Sequence, residues 1–305
     1  MVRILTYNIL MGGVHRVDPL ARLIGSAQPD VVGLVEASNA QVVEEIAQRL
    51  GMQCRLSGRG TYRADWQIGV LSRLPILHTQ VHTNLAIFAR KHLMEVGVEG
   101  PDGQQITIFV IHQLSRFHRG PQSNNARRRE VQEILRIMAP HQGTPHLVMG
   151  DFNSLAPGES FQVSELFRYF IGQRKQFRKQ KVKQRTTSPK HNTRTTVRRF
   201  IINMIDIAVH NRLLSPLVDI VGRLFAQGGV DLLLQAGYID CFRELHPEEP
   251  GFTIHSNAPV VRIDFIFASP ELAQRLQSCT VITEGDGVQA EQASDHLPLC
   301  AEFED

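Results

Sequence analysis

Short apolar runs that end on a carboxylate, an amide or an imidazole recur along this chain, and no other feature limits its fold as much. Val2 to Ile9 is β-branched and apolar and carries Asn8 near its end. DVVGLVEA reaches Glu36, Gln105 to His112 closes on His112, and Pro145 to Gly150 runs into Asp151 and Asn153. Further on, RIDFIF carries Asp264, and SDHLPL carries Asp295 and His296. Apolar runs this short, bounded by turn residues, read as buried strands. A carboxylate at the end of such a strand is costly to bury alone. A series of them implies one shared site, in which they bind a cation or one another.

Helical stretches lie between the strands. Asp18-Pro19 offers an N-cap and a first-turn proline for a helix to about Ala27. Asn39 can cap NAQVVEEIAQRL, which Gly51 stops. Strands are expected around Gln67 to Ser72 and Leu93 to Val98, the second joined to Gln105–His112 through a PDG turn at 101 to 103. Ser123 to Ala139 reads as a helix ended by Pro140, and Val230 to Ala236 as another. Val261 to Ala268, Cys279 to Thr283 and Leu297 to Phe303 read as closing strands. The chain is 305 residues long and 42% hydrophobic, enough for a substantial core in one large domain or two modest ones, and it has no internal repeat.

Charge is unevenly placed. The formal net charge is +3, yet the stretch from Leu166 to Ile205 has Lys and Arg throughout and no acid, so the remainder is acidic. RKQFRKQKVKQR, residues 174–185, is its densest part and includes Lys179 and Lys181. The four cysteines, Cys54, Cys241, Cys279 and Cys300, lack metal-like spacing and are expected to be reduced, packed thiols. MVRILTYNIL lacks a secretory pattern, which makes the cytoplasm the expected location. The apolar stretch from Phe200 is interrupted by Asp206, His210, Arg212, Pro216 and Asp219, and fits an amphipathic helix pair better than a membrane span.

Each strand-end residue also has an ordinary structural explanation. Asn8, Asp151 and Asn153 sit in contexts typical of turns, and Glu36 could simply begin a loop. A histidine in an apolar strand, as at His112, is usually a satisfied core residue. Asp264 could be the buried partner of an arginine such as Arg262, Asp295-His296 could form a cap, and Arg90 and Glu95 could pair. Arg116, His118, Arg119 and Arg127 follow His112 and could touch phosphate, although arginines on helices normally face water. If the strand-end groups do share a site, carboxylates and amides without Cys favour a hard, oxygen-seeking ion, Mg²⁺ or Mn²⁺, and metal-assisted attack on phosphate is the natural chemistry.

Taken in order, YN, E, H, GDFN, RIDFIF and SDHLPL resemble the endonuclease/exonuclease/phosphatase superfamily, the deoxyribonuclease-I-like fold. The resemblance runs from Val2 to about Gly158 and resumes from about Val230. It implies a two-sheet α/β/β/α sandwich with helices outside and a site where strand ends of both sheets meet. By the same resemblance Glu36 binds a divalent metal, with Asn8 and Asp295 holding the ion or its waters. Asp151 orients and deprotonates the attacking water, and Asn153 positions a phosphate oxygen. His296 stabilises charge developing on the phosphoryl group, Asp264 fixes its ring, and His112 matches the second histidine that some members place near the leaving group.

VEAS stands where apurinic endonucleases of the superfamily carry QETK, and RIDFIF stands where inositol polyphosphate phosphatases carry a cysteine-containing DRIL-type element. The wording LTYNIL, GDFNSLAP, IDFIFASP and SDHLPLCAEF is closer to the deadenylase and general bacterial hydrolase branches. LLLQAGYIDCF resembles an element that follows GDFNS closely in compact members, so residues 161–229 are expected to be a basic helical insertion in a single domain spanning 1–305. That insertion has three readings: a solvated face, a clamp on nucleic acid, in which Lys179 and Lys181 join Arg116 and Arg127 as phosphate contacts, or an attachment to an anionic membrane surface. The expected activity is phosphodiester hydrolysis on nucleic acid; the rivals are a phospholipid or small-phosphoester hydrolase at a membrane and a non-catalytic phosphate-binding scaffold. No obligate protein partner is inferred.

Overall fold

A computed structural model describes residues 1–58, 67–83, 93–114, 122–159, 211 and 228–305. The chain divides into two units, Met1–Glu159 with Ala226–Asp305, and Ser160–Phe225. The first unit is described here; the expected basic insertion at 161–229 lies almost wholly outside the described residues.

Among those residues, two six-stranded sheets form the body. The first contains β1 (Val2–Asn8), β2 (Val31–Val35), β3 (Gln53–Leu56), β4 (Ile68–Ser72), β11 (Leu276–Val281) and β14 (Leu299–Phe303), in the order β11-β14-β1-β2-β4-β3. The second contains β5 (Ile76–His82), β6 (Leu93–Glu99), β7 (Gln105–His112), β8 (His146–Asp151), β9 (Ile239–Asp240) and β10 (Asp264–Ala268), in the order β5-β6-β7-β8-β10-β9. Each sheet is mixed, with one parallel pair near its centre: β1 with β2, and β7 with β8. A small hairpin, β12 (Glu284–Gly285) with β13 (Val288–Gln289), stands apart from both.

Three layers of apolar contact follow from the strands' two-residue period. Ile4, Val31, Val96, Val110, Met149 and Ile266 fill the space between the sheets. Leu5, Tyr7, Leu34 and Leu71 face outward from the first sheet onto α1 (Val17–Ser26) and α2 (Ala40–Leu50). Phe109, Ile111, Val148 and Phe265 face outward from the second onto α3 (Gln122–Met138). The arrangement is the two-sheet sandwich with outer helices that the family resemblance implies. No helix among the described residues is long and apolar enough to cross a membrane.

The helix ends show what the sequence specified and where it misled. Asn39 caps α2 by accepting a bond from the Val42 amide, and Gly51 ends it in a left-handed conformation, both as expected. The helix α1 begins one residue before Asp18, so Asp18 is not its cap. Its carboxylate lies in the first turn, favourable for the helix dipole, and receives Arg49 at 3.1 Å. The strand expected over Val261 to Ala268 starts only at Asp264, because Val261 instead bridges to Ile254. All four cysteines are free thiols, three of them buried.

One glycine sets the geometry of the site. Gly150 has φ +138°, and a Cβ there would stand 1.9 Å from the Ile111 carbonyl oxygen. No side-chain rotation relieves a clash with backbone. Gly150→Ala is expected to destabilise the protein by about 2 kcal/mol or more and to lower activity, since Asp151 follows directly. Urea unfolding checks this; an unchanged midpoint contradicts the placement.

Candidate active site

The register of the second sheet gathers the polar strand ends. His112 on β7 pairs with Asp151 on β8, and Asp151 pairs with Asp264 on β10, so the three stand in one row across the sheet. In the first sheet, the parallel pairing of β1 and β2 brings Asn8 beside Val35, and Glu36 follows at once. Both rows lie at the same end of the sandwich. Asn8 Nδ2 joins them, donating to Asp151 Oδ2 at 3.1 Å and to Glu36 Oε1 at 3.4 Å, with His296 Nε2 also 3.4 Å away.

Backbone strain accompanies two of these residues. Asn153 has φ +47° and Glu36 φ +56°, conformations that side chains other than Gly adopt at a cost and that concentrate at functional sites. The bend at Asn153 lets its amide N–H donate to Asp151 Oδ1 at 2.8 Å, while Nδ2 donates to the Gln113 carbonyl at 3.1 Å. At Glu36, Oε2 accepts the Met11 N–H at 2.7 Å. Phe152, between Asp151 and Asn153, packs edge-on against Phe265 and Phe267 and anchors the turn.

Two buried ionisable groups face each other with opposite bias. Burial, helped by the nearby charge of Asp264, pushes the Asp151 carboxyl up to about 7, against the pull of His296. Burial alone would push His296 down, but the Asp264 carboxylate outweighs it and raises the imidazole to about 10. The contact responsible is His296 Nδ1 to Asp264 Oδ2 at 2.8 Å. With Nδ1 committed there, Nε2 is left facing Asp151 Oδ2 at 3.9 Å. His112 Nε2 approaches the same oxygen at 3.5 Å.

Of the residues singled out in the sequence, Asn8, Glu36, His112, Asp151, Asn153, Asp264 and His296 come together. Asp295 is half-buried beside His296, its carbonyl accepting the Ser256 N–H at 2.8 Å. Asn8 serves as a donor between two carboxylates, because its amide oxygen accepts the Leu10 N–H at 3.0 Å. Arg127 departs from its expected role as a phosphate contact: it is fully buried, and Nη1 donates to the Leu114 carbonyl at 3.2 Å. It braces the chain after His112 rather than meeting substrate. Arg116, Lys179 and Lys181 lie outside the described residues.

Three supporting residues were not singled out. Ser294 Oγ donates to the Asn8 carbonyl at 2.7 Å and ties SDH to the first strand. Gln113 holds Asn153, as above. Arg16 donates to the carbonyls of Leu10 and Ala293, and its charge lies near Asp295 and Glu36. Ser294 stood in the quoted SDH motif; nothing local marks Gln113 or Arg16, which act through contacts distant in sequence.

A divalent cation fits this donor set. Asp151, Asp264, Glu36 and Asp295 are hard oxygen ligands without a thiolate, which suits Mg²⁺ or Mn²⁺. Buried Asp264 Oδ1 accepts no hydrogen bond, and among the described residues the carboxylates exceed the cationic partners His296 and Arg16. Asp151, Asp264 and His296 each place one ligand atom within 4.8 Å of the others. Because the His296 ring already bridges Asp264 and Asp151, Glu36 and Asp295, both only half-buried, are the better candidates for ligation.

Asp264 and Arg262 are not partners, although they are neighbours in RIDF. Arg262 is fully buried and binds Asp240 through two bonds, Nη1 to Oδ1 at 2.7 Å and Nη2 to Oδ2 at 2.6 Å, while Nη2 also reaches Glu159. Arg243 holds the same Glu159 at 3.0 Å. This ionic cluster fixes the loop that follows GDFNS.

The sequence profile of the Endonuclease/Exonuclease/phosphatase family matches residues 5–296. No curated protein matches the chain significantly. Among solved structures, a 3′ phosphatase from Neisseria bound to product DNA hairpin is similar at 17% identity and TM-score 0.65, over 100% of both chains. An AP endonuclease from Archaeoglobus fulgidus is similar at 16% identity and TM-score 0.63, again over 100% of both. TDP2 from D. rerio complexed with single strand DNA product is similar at 14% identity and TM-score 0.59, over 100% of this chain and 99% of that one. At these identities the likeness is one of fold.

Proposed function

Because this chain belongs to the endonuclease/exonuclease/phosphatase family, whose members hydrolyse phosphoester bonds, we propose that it is a divalent-metal-dependent phosphodiesterase acting on nucleic acid. The observation that carries the reading is the buried Asp151–His296 pair, one carboxyl pushed up to about 7 and one imidazole held up to about 10. Between those values the pair offers a base and an acid at once, which in-line hydrolysis of a phosphoester needs.

In this reading Asp151 Oδ2 takes the proton of the attacking water. The Asn153 amide at Oδ1 and Asn8 Nδ2 at Oδ2 hold the carboxylate in place. His296 presents its Nε2 proton to a phosphoryl oxygen, oriented from behind by Asp264, and stabilises charge that grows toward the transition state. His112 Nε2, 3.5 Å from Asp151 Oδ2, would serve the leaving oxygen. Glu36 and Asp295 would hold the divalent ion, which when bound supplies Lewis acidity and acidifies water. Nucleic acid is favoured as substrate because two of the similar structures carry DNA products.

The pH profile tests the roles. kcat/KM at fixed metal is expected to rise as Asp151 deprotonates through about 7 and to fall as His296 loses its proton near 10. Asp264→Asn removes an opposite charge from His296 and a like charge from Asp151. Both groups should then titrate at lower pH, and the whole profile should move toward acid. An alkaline limb that stays in place would show that Asp264 does not set the histidine.

The substrate is tested with single- and double-stranded DNA, RNA, sphingomyelin and phosphatidylinositol vesicles, and small phosphomonoesters, with and without chelator. Nucleic acid should be cleaved fastest, and only with Mg²⁺ or Mn²⁺. Faster turnover of a lipid or monoester overturns the substrate assignment, and turnover indifferent to chelator overturns the metal.

A further inference from the structure

Glu95 was expected to pair with Arg90, which lies outside the described residues; what surrounds it is a set of three histidines. On β6, Met94, Val96 and Val98 face the core between the sheets, so by strand alternation Glu95 points to the outer face. There its carboxylate is 8% exposed and meets His78 Nε2 at 3.1 Å and His82 Nε2 at 2.7 Å, both from β5. His141 Nε2, from the turn that ends α3, reaches it at 3.6 Å. Two separate segments thus bring three Nε2 atoms to one nearly buried carboxylate.

The surroundings are shaped for this convergence. Gly97 leaves the room that the His78 ring occupies: a Cβ there would lie 2.3 Å from its Cε1 and 2.4 Å from its Nδ1. The His141 ring is held edge-on by Phe109 at 5.3 Å, and its carbonyl is fixed by the Thr144 N–H at 3.0 Å and the Thr144 hydroxyl at 2.6 Å. Three imidazoles and one carboxylate are the neutral-nitrogen, oxygen donor set of a zinc site.

We propose that His78, His82, Glu95 and His141 form a second metal site, separate from the phosphoesterase centre, that takes a zinc-like transition-metal dication. Ligands at about 2.0–2.2 Å from a tetrahedral zinc stand roughly 3.3 Å apart; His78 and His141 lie 3.1 and 3.6 Å from Glu95 Oε1, and His82 lies 2.7 Å from Oε2. The nitrogens have not drawn to within 4.8 Å of one another as the Asp151, Asp264 and His296 atoms have. Closing the shell requires more than the His78 ring to move, since no three of the four donor groups converge within 4.8 Å; His78, 37% exposed, is the least confined. The bound ion would pin β5, the edge strand of the second sheet, to the end of α3.

The two sites differ in hardness, so they can be read separately. Full-length protein is stripped with chelator, supplied with excess Mg²⁺ to saturate the oxygen site, titrated with Zn²⁺, and freed of loose metal by gel filtration. Wild type should retain one zinc per chain and unfold at a higher temperature with zinc than without. His82→Ala and His141→Ala should weaken retention by more than the roughly 10–100-fold that losing an outer-shell partner costs, and should lose the thermal shift. His78→Gln, at the most exposed ring, gives the same reading should either alanine variant not fold. Asp151→Asn should retain zinc like wild type. Wild type retaining no zinc in Mg²⁺, or the histidine variants retaining as much as wild type, overturns the site whatever the phosphoesterase activity proves to be.

Discussion

Asp151→Asn is expected to lower kcat/KM on bis-p-nitrophenyl phosphate by about 10²–10⁴-fold while leaving the protein at least as stable as wild type. The loss follows from the base: an amide of the same shape cannot take a proton from water. Stability is spared because Asp151 is a carboxylate held against its preference. It is 2% exposed, near the charge of Asp264, and its carboxyl is pushed up to about 7. An asparagine removes that repulsion, and its Oδ1 can still accept the Asn153 amide now held at 2.8 Å; its Nδ2 cannot accept from Asn8 as Oδ2 does, a loss of about 1 kcal/mol that the relieved charge outweighs. At pH 8, above that value, the wild-type group is charged and the relief is greatest. Kinetics and urea unfolding on the same samples check both halves. Full activity in the variant would remove Asp151 from the chemistry, and marked destabilisation would show that its charge supports the fold.

The second large effect lies away from the chemistry. Arg262→Met is expected to cost about 3–5 kcal/mol of folding stability, because it leaves the buried carboxylates of Asp240 and Glu159 without their main counter-ion. The guanidinium is fully buried, forms a two-bond fork with Asp240, and lies over the Phe265 ring at 4.4 Å. Glu159 keeps Arg243, so Asp240 suffers most. Adding Asp240→Asn and Glu159→Gln to Arg262→Met should recover much of the loss, since the cost is that of stranded charge rather than of a missing attraction. Urea midpoints at neutral pH decide. A single variant as stable as wild type would mean that the cluster is solvated. A triple variant no better than the single would locate the loss in packing around Phe242 and Phe265.

The site was legible in sequence because its residues sit where apolar runs stop, and a run of buried strand is among the plainest local signals. Asn8, Glu36, His112 and Asp151 each follow such a run. The choice between an arginine and a histidine as partner for Asp264 was not legible, since it depends on which element lies across the strand. Arg262 finds Asp240 and Glu159, while Asp264 finds His296. Arg127 misled for a related reason: an arginine at the start of a helix normally faces water, and only the packing of the chain after His112 turns it inward. Among the strands, β3 and β5 gave no signal. QCRL and ILHTQVH alternate polar residues along half-exposed sheet edges, where burial does not impose an apolar run. That polar alternation is also what places His78 and His82 on one face.

The pairing of β1 with β14 also gives the enzyme a schedule. Asn8 is made 288 residues before His296, yet they stand 3.4 Å apart. While a ribosome works through the intervening chain, the β14 side of β1 is an open strand edge, its N–H and C=O groups without their partners. Asp151 meanwhile has neither His296 nor the SDH turn beside it. A stalled or truncated product ending before Asp295 therefore combines two properties: it cannot hydrolyse anything by this route, and it offers a sticky edge to chaperones or to other copies. In the proposed mechanism the site closes only when β14 docks on β1, so sheet and site are completed together.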